Sequence, residues 1–248
     1  MKEHGPSLEH PTWLRFLVSD EHHKGLLPAW IPEFVVVTWL VILVLSLVAF
    51  FASRRLKMRE PGRFQAALEF IVVSLDNFVR GIVGSEAKTL TPIIGTVFIF
   101  IFSLSLIGLV PGFISPTANT NTTVAIALLA FVLVQYFGIT RLGIKNYLMH
   151  FVGDPWWLFP LMVPLHIIGE LARPLSLSIR LFGNIFGEET VIAVFVLIVT
   201  SVLGNMLIPL QFPMMLFAIF GAFIQSLVFS MLVCIYIAVS VAGHEEHR

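Results

Sequence analysis

A chain of 248 residues that is 57% hydrophobic and only 12% charged departs from an ordinary soluble domain, which is about half apolar and about a quarter charged. Fifteen Lys and Arg balance fifteen Asp and Glu, which excludes a polybasic nucleic-acid surface and an acidic disordered tail. The single cysteine, Cys234, excludes an internal disulfide framework and a multi-cysteine metal cluster, and a mean hydropathy of +0.93 points to lipid.

The first 31 residues contain no long apolar run and no secretory signal pattern, so residues 1–31 are expected to form an extracytoplasmic segment and residues 32–248 a membrane-embedded domain. A helix needs about 20 apolar residues to cross the hydrocarbon core. Phe34 to Ser53 supplies an uncharged run that ends in Arg54, Arg55, Lys57 and Arg59. From Gly62 to Gly84, Phe64, Leu68, Ile71, Val72, Leu75, Phe78 and Val79 recur at helical spacing among Arg63, Glu69, Asp76 and Arg80. That pattern fits an amphipathic helix on the inner membrane surface rather than a crossing.

Leu90 to Val110 and Thr122 to Thr140 are the next two uncharged runs, the latter ending at Arg141. Val191 to Gly243 holds no charge and is too long for one crossing; Gly204, Asn205, Pro209 and Pro213 mark a turn within it. The remaining apolar segment, Trp156 to Thr190, is the one that carries charges: Glu170, Arg173, Arg180, Glu188 and Glu189. Pro164 is placed to open this helix, and Pro174 sits inside it. The expected fold is therefore all-α, with five transmembrane helices, an amphipathic inner-surface helix and a long charged helix.

Orientation follows from the Lys/Arg bias. Seven Lys and Arg fall between Arg54 and Lys88, and none falls in the stretches 111–121 and 204–213. The N-terminus is expected outside, the 54–89 region inside, and the C-terminus in the cytoplasm after five crossings.

Charged side chains at membrane depth cost about 2.5–3.5 kcal/mol each on insertion scales and usually mark ion or proton pathways. At about 100° per residue, Arg173 and Arg180 fall within about 20° of each other, and Ser176, Asn184 and Gly187 join their stripe. Glu170 and Glu188 lie about 80° round from Arg180, and Glu189 is nearly opposite, so a straight helix cannot aim both Glu188 and Glu189 at one partner. Glu170 with Arg173 at (i, i+3) is also readable as structural neutralisation. Arg180 stands beyond snorkelling reach of either end, and its guanidinium keeps its proton.

His166 and Glu170, one turn apart, have a two-ligand metal spacing, but a metal site needs more ligands and no other His falls in an apolar segment. Ser176 and Ser178 have no neighbouring His base, and neither a Gly-x-Ser-x-Gly elbow nor a phosphate-cradling Gly loop is present. No catalytic residue, metal or cofactor is expected.

The stretch Arg173-Pro-Leu-Ser-Leu-Ser-Ile-Arg180-Leu-Phe-Gly-Asn184-Ile-Phe-Gly-Glu-Glu189 resembles the signature of subunit a of the F-type ATP synthase. The resemblance extends to Pro116-Thr-Ala-Asn-Thr-Asn-Thr-Thr-Val-Ala-Ile-Ala, to Ile94-Gly-Thr-Val-Phe-Ile-Phe-Ile-Phe, to Gly108-Leu-Val-Pro-Gly and to Ile224-Gln225-Ser-Leu-Val-Phe, and covers roughly residues 60 to 245. It implies a non-catalytic proton-channel subunit in a bacterial inner membrane, beside a rotating c-ring and a b-subunit peripheral stalk, that translocates H⁺ or Na⁺. By position it assigns Arg180 as the essential arginine, Asn184 and Glu189 as polar residues of the outer half-channel, Gln225 as the glutamine of the final helix, and Ser176 as the serine one turn before the arginine. The charged and final helices would pack on the ring. Glu188 joins the outer path, and His166 and Glu170 form the inner one. The chain departs from the family pattern at His166, where many members have Glu, at Asn119, where many have Asp, and at Ala218, where some have an ionisable group.

Two other readings compete. A self-contained secondary transporter binding an anionic solute at Arg180 would be expected to show a repeat pair, and none is visible. A membrane hydrolase using His166 and Glu170 would require bound metal.

Overall fold

The computed structural model describes residues 32–54, 62–84, 87–110, 113, 115–143, 159–203 and 211–242. The segment 1–31, the C-terminal tail and the turn around Gly204, Asn205 and Pro209 lie outside the described residues. The described elements are helical: α1 (Glu33–Arg54), α2 (Arg63–Val83), α3 (Ala87–Ile107), a 3-10 turn (Pro116–Ala118), α4 (Thr120–Leu142), α5 (Phe159–Leu203) and α6 (Gln211–Ala242). Four of them contain stretches long and apolar enough to cross a membrane: Glu33–Arg54, Ala87–Ile107, Thr120–Arg141 and Pro213–Ser240.

Each of the expected apolar runs forms a helix, and their ends carry recognisable stop signals. Two helices end on glycines with positive φ, α2 at Gly84 (63°) and α4 at Gly143 (77°), a backbone that a Cβ would strain. Asn119 caps α4 by accepting a hydrogen bond from the Asn121 amide at 2.9 Å, which satisfies one of the orphan donors of the first turn. Arg54 ends α1 with its guanidinium 4.4 Å from the centroid of the Phe50 ring.

Helix α5 differs from the sequence reading at its start and ends, as expected, just before Gly204. It begins at Phe159, so Pro164 lies within it rather than opening it, and it runs through Pro174 to Leu203. Pro213, read as part of a turn, is the third residue of α6, where its missing N–H is one that the first turn leaves unused anyway. At 1.5 Å per residue the 45 residues of α5 span about 68 Å, twice the ~30 Å hydrocarbon core. A helix of that length must lie strongly tilted to remain within a bilayer.

The bundle centre lies where α3, α4, α5 and α6 meet. Helix α3 contributes Leu90, Ile94, Ile101 and Leu104, α4 contributes Ala127, Ala130 and Val134, α5 contributes Leu177, Leu181 and Ile185, and α6 contributes Phe229, Val233 and Ile237. The α4 set recurs every three or four residues and consists of small side chains, which lets its backbone approach α5 and α6 closely. Rings of Phe98 and Phe102 on α3 meet Phe223 of α6 edge-on, at 5.8 and 6.1 Å between centroids. Helix α1 is peripheral: Val37 and Val41 are buried while Trp39, Leu43, Phe50 and Phe51 are exposed. Such a face suits lipid, which is as apolar as the side chains themselves.

Helix α2 is fastened to the start of α3 by a polar contact. The Thr91 hydroxyl lies 2.8 Å from both Asp76 Oδ1 and the Ala87 carbonyl, and Arg80 donates to Asp76 Oδ2 at 2.6 Å. The Thr91 hydroxyl, and then the Arg80 guanidinium, hold the Asp76 carboxyl below the ordinary carboxylate range against the opposing effect of desolvation.

Candidate functional site

The functional candidates concentrate on α5 and on the face of α6 beside it. Arg180 stands 21 residues from Phe159 and 23 from Leu203, close to the midpoint of the helix. It is exposed, as are Ser176 one turn before it and Asn184 one turn after it. Their stripe is flanked by Leu175, Ile179 and Phe186, each more than half exposed. A permanent cation thus sits within an apolar outer face. Among the described residues no carboxylate pairs with Arg180.

Arg173 behaves differently although it shares the helical stripe. Its Nη1 lies 2.6 Å from Glu170 Oε1, and its guanidinium carbon lies 5.1 Å from the ring centroid of Tyr236 on α6. Gln135 Nε2 of α4 donates to the other Glu170 oxygen at 3.0 Å. Three helices therefore meet around one ion pair, and the charge of Arg173 is neutralised inside the chain. The expectation that Arg173 and Arg180 present one continuous polar face holds for backbone register and fails for environment, because Tyr236 draws the long Arg173 side chain inward. His166 lies one turn before Glu170, half-buried, with its Nδ1 3.0 Å from the Met162 carbonyl. Among the described residues no three His, Cys, Asp or Glu converge on a point where a metal ion would bind.

On the other side of Arg180 the two adjacent glutamates separate. Glu189 is exposed, whereas Glu188 is half-buried and points its Oε2 at α6, 3.4 Å from where a Cβ on Gly221 would stand. One turn along α6, Gln225 is 5% exposed, and its Nε2 is buried without a hydrogen-bond partner. Ser226 is satisfied by the Ala222 carbonyl at 2.7 Å, while the Ser230 hydroxyl is also buried and unpartnered. The face of α6 turned into the bundle thus carries polar groups with hydrogen-bonding capacity to spare.

Gln135, Tyr236 and Gly221 were not among the sequence candidates. Gln135 interrupts an otherwise apolar run in α4, which is a visible signal. Tyr236 and Gly221 carry none, because their importance lies in what α5 brings opposite them.

The family model described as ATP synthase A chain matches residues 35–238. The chain is 42% identical over 234 residues to ATP synthase subunit a 1 of Syntrophotalea carbinolica, covering 94% of this chain and 90% of that relative. It is 42% identical over 240 residues to ATP synthase subunit a of Oleidesulfovibrio alaskensis, covering 97% of each, and 44% identical over 200 residues to the Geobacter sulfurreducens protein of the same name, covering 81% and 83%.

Proposed function

The chain belongs to the ATP synthase A chain family, and from that premise we propose that it is the stationary proton-channel subunit of a bacterial ATP synthase. In this reading it crosses the inner membrane five times, with residues 1–31 outside and the C-terminus in the cytoplasm. It lies beside a ring of c subunits and is held by a peripheral stalk of b subunits. Helices α5 and α6 form the face that meets the ring.

The observation that carries this reading is Arg180, exposed at the middle of α5 and paired with no carboxylate among the described residues. A guanidinium cannot shed its proton, and leaving it in lipid is costly. No described residue supplies its counter-charge, and a carboxylate on each passing ring subunit meets that need. The cation favours the ionised form of that carboxylate and cannot relay a proton itself, so it separates two aqueous half-channels. Ser176 and Asn184 flank the exchange position. Glu170, with His166, serves the inner half-channel; a carboxylate beyond Asn184 and Gln225 of α6 serve the outer one. The buried Leu177 and Leu181 lie between Glu170 and Glu188 on α5 and exclude water there. Each charge carried through 100 mV supplies about 2.3 kcal/mol for rotation.

The test is Arg180→Ala in the intact complex. Proton-driven ATP synthesis in inverted vesicles should fall to background; synthesis at the normal rate would refute the assignment. A secondary transporter would instead move an anionic solute as the isolated chain in liposomes.

A further inference from the structure

Helical register alone would present Arg173 and Arg180 on one face. Seven residues apart, they fall within about 20° of each other and about 10 Å apart along the axis. The side chains beside and between them, Leu171, Leu175, Ser176 and Ile179, are exposed. An arginine at position 173 with nothing to hold it would extend over that same outer face, which would then carry two permanent cations. Its guanidinium is instead held against the bundle.

Groups of three helices hold it there. Glu170 of α5 pairs with Nη1 at 2.6 Å, and the Tyr236 ring of α6 stands 5.1 Å from the guanidinium carbon. Gln135 of α4 donates to the second Glu170 oxygen at 3.0 Å, which fixes the carboxylate in place. The Arg173 side chain borders a small cavity that Ala127, Ala130, Pro174, Leu177, Val233 and Tyr236 also line. Ala127 and Ala130 are 1% and 2% exposed, and their small size leaves room for a guanidinium drawn inward. Helix α6 carries no Asp, Glu, Lys, Arg or His, and the charge that α4 contributes is Arg141, beyond Gln135. Among the described residues Glu170 is therefore the carboxylate that neutralises Arg173, and Tyr236 supplies the aromatic face that a desolvated guanidinium favours.

We propose that Tyr236, with Glu170 and Gln135, withholds Arg173 from the outer face of α5, so that each passing ring carboxylate meets one cation, Arg180, rather than two. The inference rests on the proton-channel function above, and Tyr236 is a positioning residue that acts through Arg173. A free cation favours the ionised form of a carboxylate near it. A second one about 10 Å from Arg180 would give the ring carboxylate another place to stay ionised and dwell, and rotation would slow.

The experiment uses whole ATP synthase reconstituted in liposomes, with synthesis driven by an acid–base jump and expressed per assembled complex. Tyr236→Leu should slow synthesis about threefold to tenfold by loosening the hold on Arg173. Tyr236→Phe, which keeps the ring, should recover most of that rate. Combining Tyr236→Leu with Arg173→Gln, which removes the cation and keeps a donor for Glu170, should run faster than Tyr236→Leu alone. A ring that serves only packing predicts the reverse, since the second substitution would then add a second loss. Where Tyr236→Leu fails to assemble, Ala130→Leu displaces Arg173 by filling the cavity from α4, and its rate should likewise rise on adding Arg173→Gln. A wild-type rate for the displacing variant, or no gain on adding Arg173→Gln, overturns the proposal. Arg180→Ala separates the two levels: loss there without relief by Arg173→Gln overturns only the role of Tyr236, whereas no loss at Arg180 overturns the channel function itself.

Discussion

Arg173 and Arg180 stand seven residues apart on α5, and among the described residues only Arg173 has a counter-charge. Its Nη1 lies 2.6 Å from Glu170, while Arg180 is exposed and pairs with no carboxylate among the described residues. Two arginines of similar register thus have different surroundings, one joined to groups of three helices and the other exposed. The difference arises from what α4 and α6 place opposite each side chain.

The Glu170–Arg173 pair is partly buried, with side chains 19% and 27% exposed, so removing one partner strands the other. Arg173→Leu should lower the stability of the assembled subunit by about 1–3 kcal/mol. The double variant Arg173→Leu with Glu170→Leu should recover much of that loss. Thermal melting of the purified complex with a double-mutant cycle measures the coupling; an additive double variant would show that the pair contributes nothing. Glu170→Gln keeps an acceptor for Gln135 but removes the counter-charge of Arg173, and should slow proton exchange with the cytoplasmic side as well as lower the melting temperature.

Leu177 and Leu181 separate Glu170 from Glu188, which stand 18 residues apart on α5, about 27 Å along the axis. Leu181→Asn would put a polar side chain into a fully buried position and admit water between the two carboxylates. Vesicles stripped of the catalytic sector should then show a raised passive proton leak, read with a pH-sensitive dye. A leak equal to that of wild type would place the barrier elsewhere.

The polar fastening of α2 to α3 should depend on pH. Asp76 titrates below its ordinary value of 3.8 in the folded protein, so its contribution is fully present above about pH 4 and is lost as pH falls through the lowered folded value. Hydrogen exchange of α2 amides should therefore stay slow at neutral pH and accelerate only in strong acid. Thr91→Val removes the hydroxyl that contributes most to the shift, and should move the acid transition to higher pH. An unchanged transition would mean that Arg80 alone holds Asp76.

Gly108 packs against Ser115 where α3 turns toward the 3-10 segment. A Cβ at position 108 would stand 2.5 Å from the Ser115 Cβ and 3.2 Å from its Cα, distances that require the backbone to move. Gly108→Val should cost about 1–3 kcal/mol through overpacking, seen as lower yield of assembled subunit and a lower melting temperature. Gly81, whose missing Cβ would meet nothing within 4 Å, is the control: Gly81→Ala should leave both values unchanged or slightly raised.

Much of the architecture is legible before folding is considered. Uncharged runs of about 20 residues announce α1, α3 and α4, and the interleaved charges of residues 62–84 announce an amphipathic helix. The reading stops short at α5 because prolines are ambiguous in sequence: Pro164 resembles a start signal, yet the helix begins five residues earlier and bridges it. Proline removes one hydrogen bond, and only the packing of the whole segment determines whether the helix continues. Arg180 was similarly legible, since a cation far from either end of an apolar helix has no bland explanation in its own neighbourhood.

What the sequence by itself determined was the membrane solvent, the helical periodicity and the gathering of five charges on one helix, because these follow from local composition and from 3.6 residues per turn. Only the tertiary structure decided which of these charges are neutralised by neighbouring helices and which stay exposed. Gln135 and Tyr236 reach the Glu170–Arg173 pair from other helices, and Glu188 finds its place in a notch made by a glycine more than thirty residues away. Periodicity assigns a face to each side chain, but whether that face meets lipid, a counter-charge or an empty position on a neighbouring helix is settled by which helices pack together.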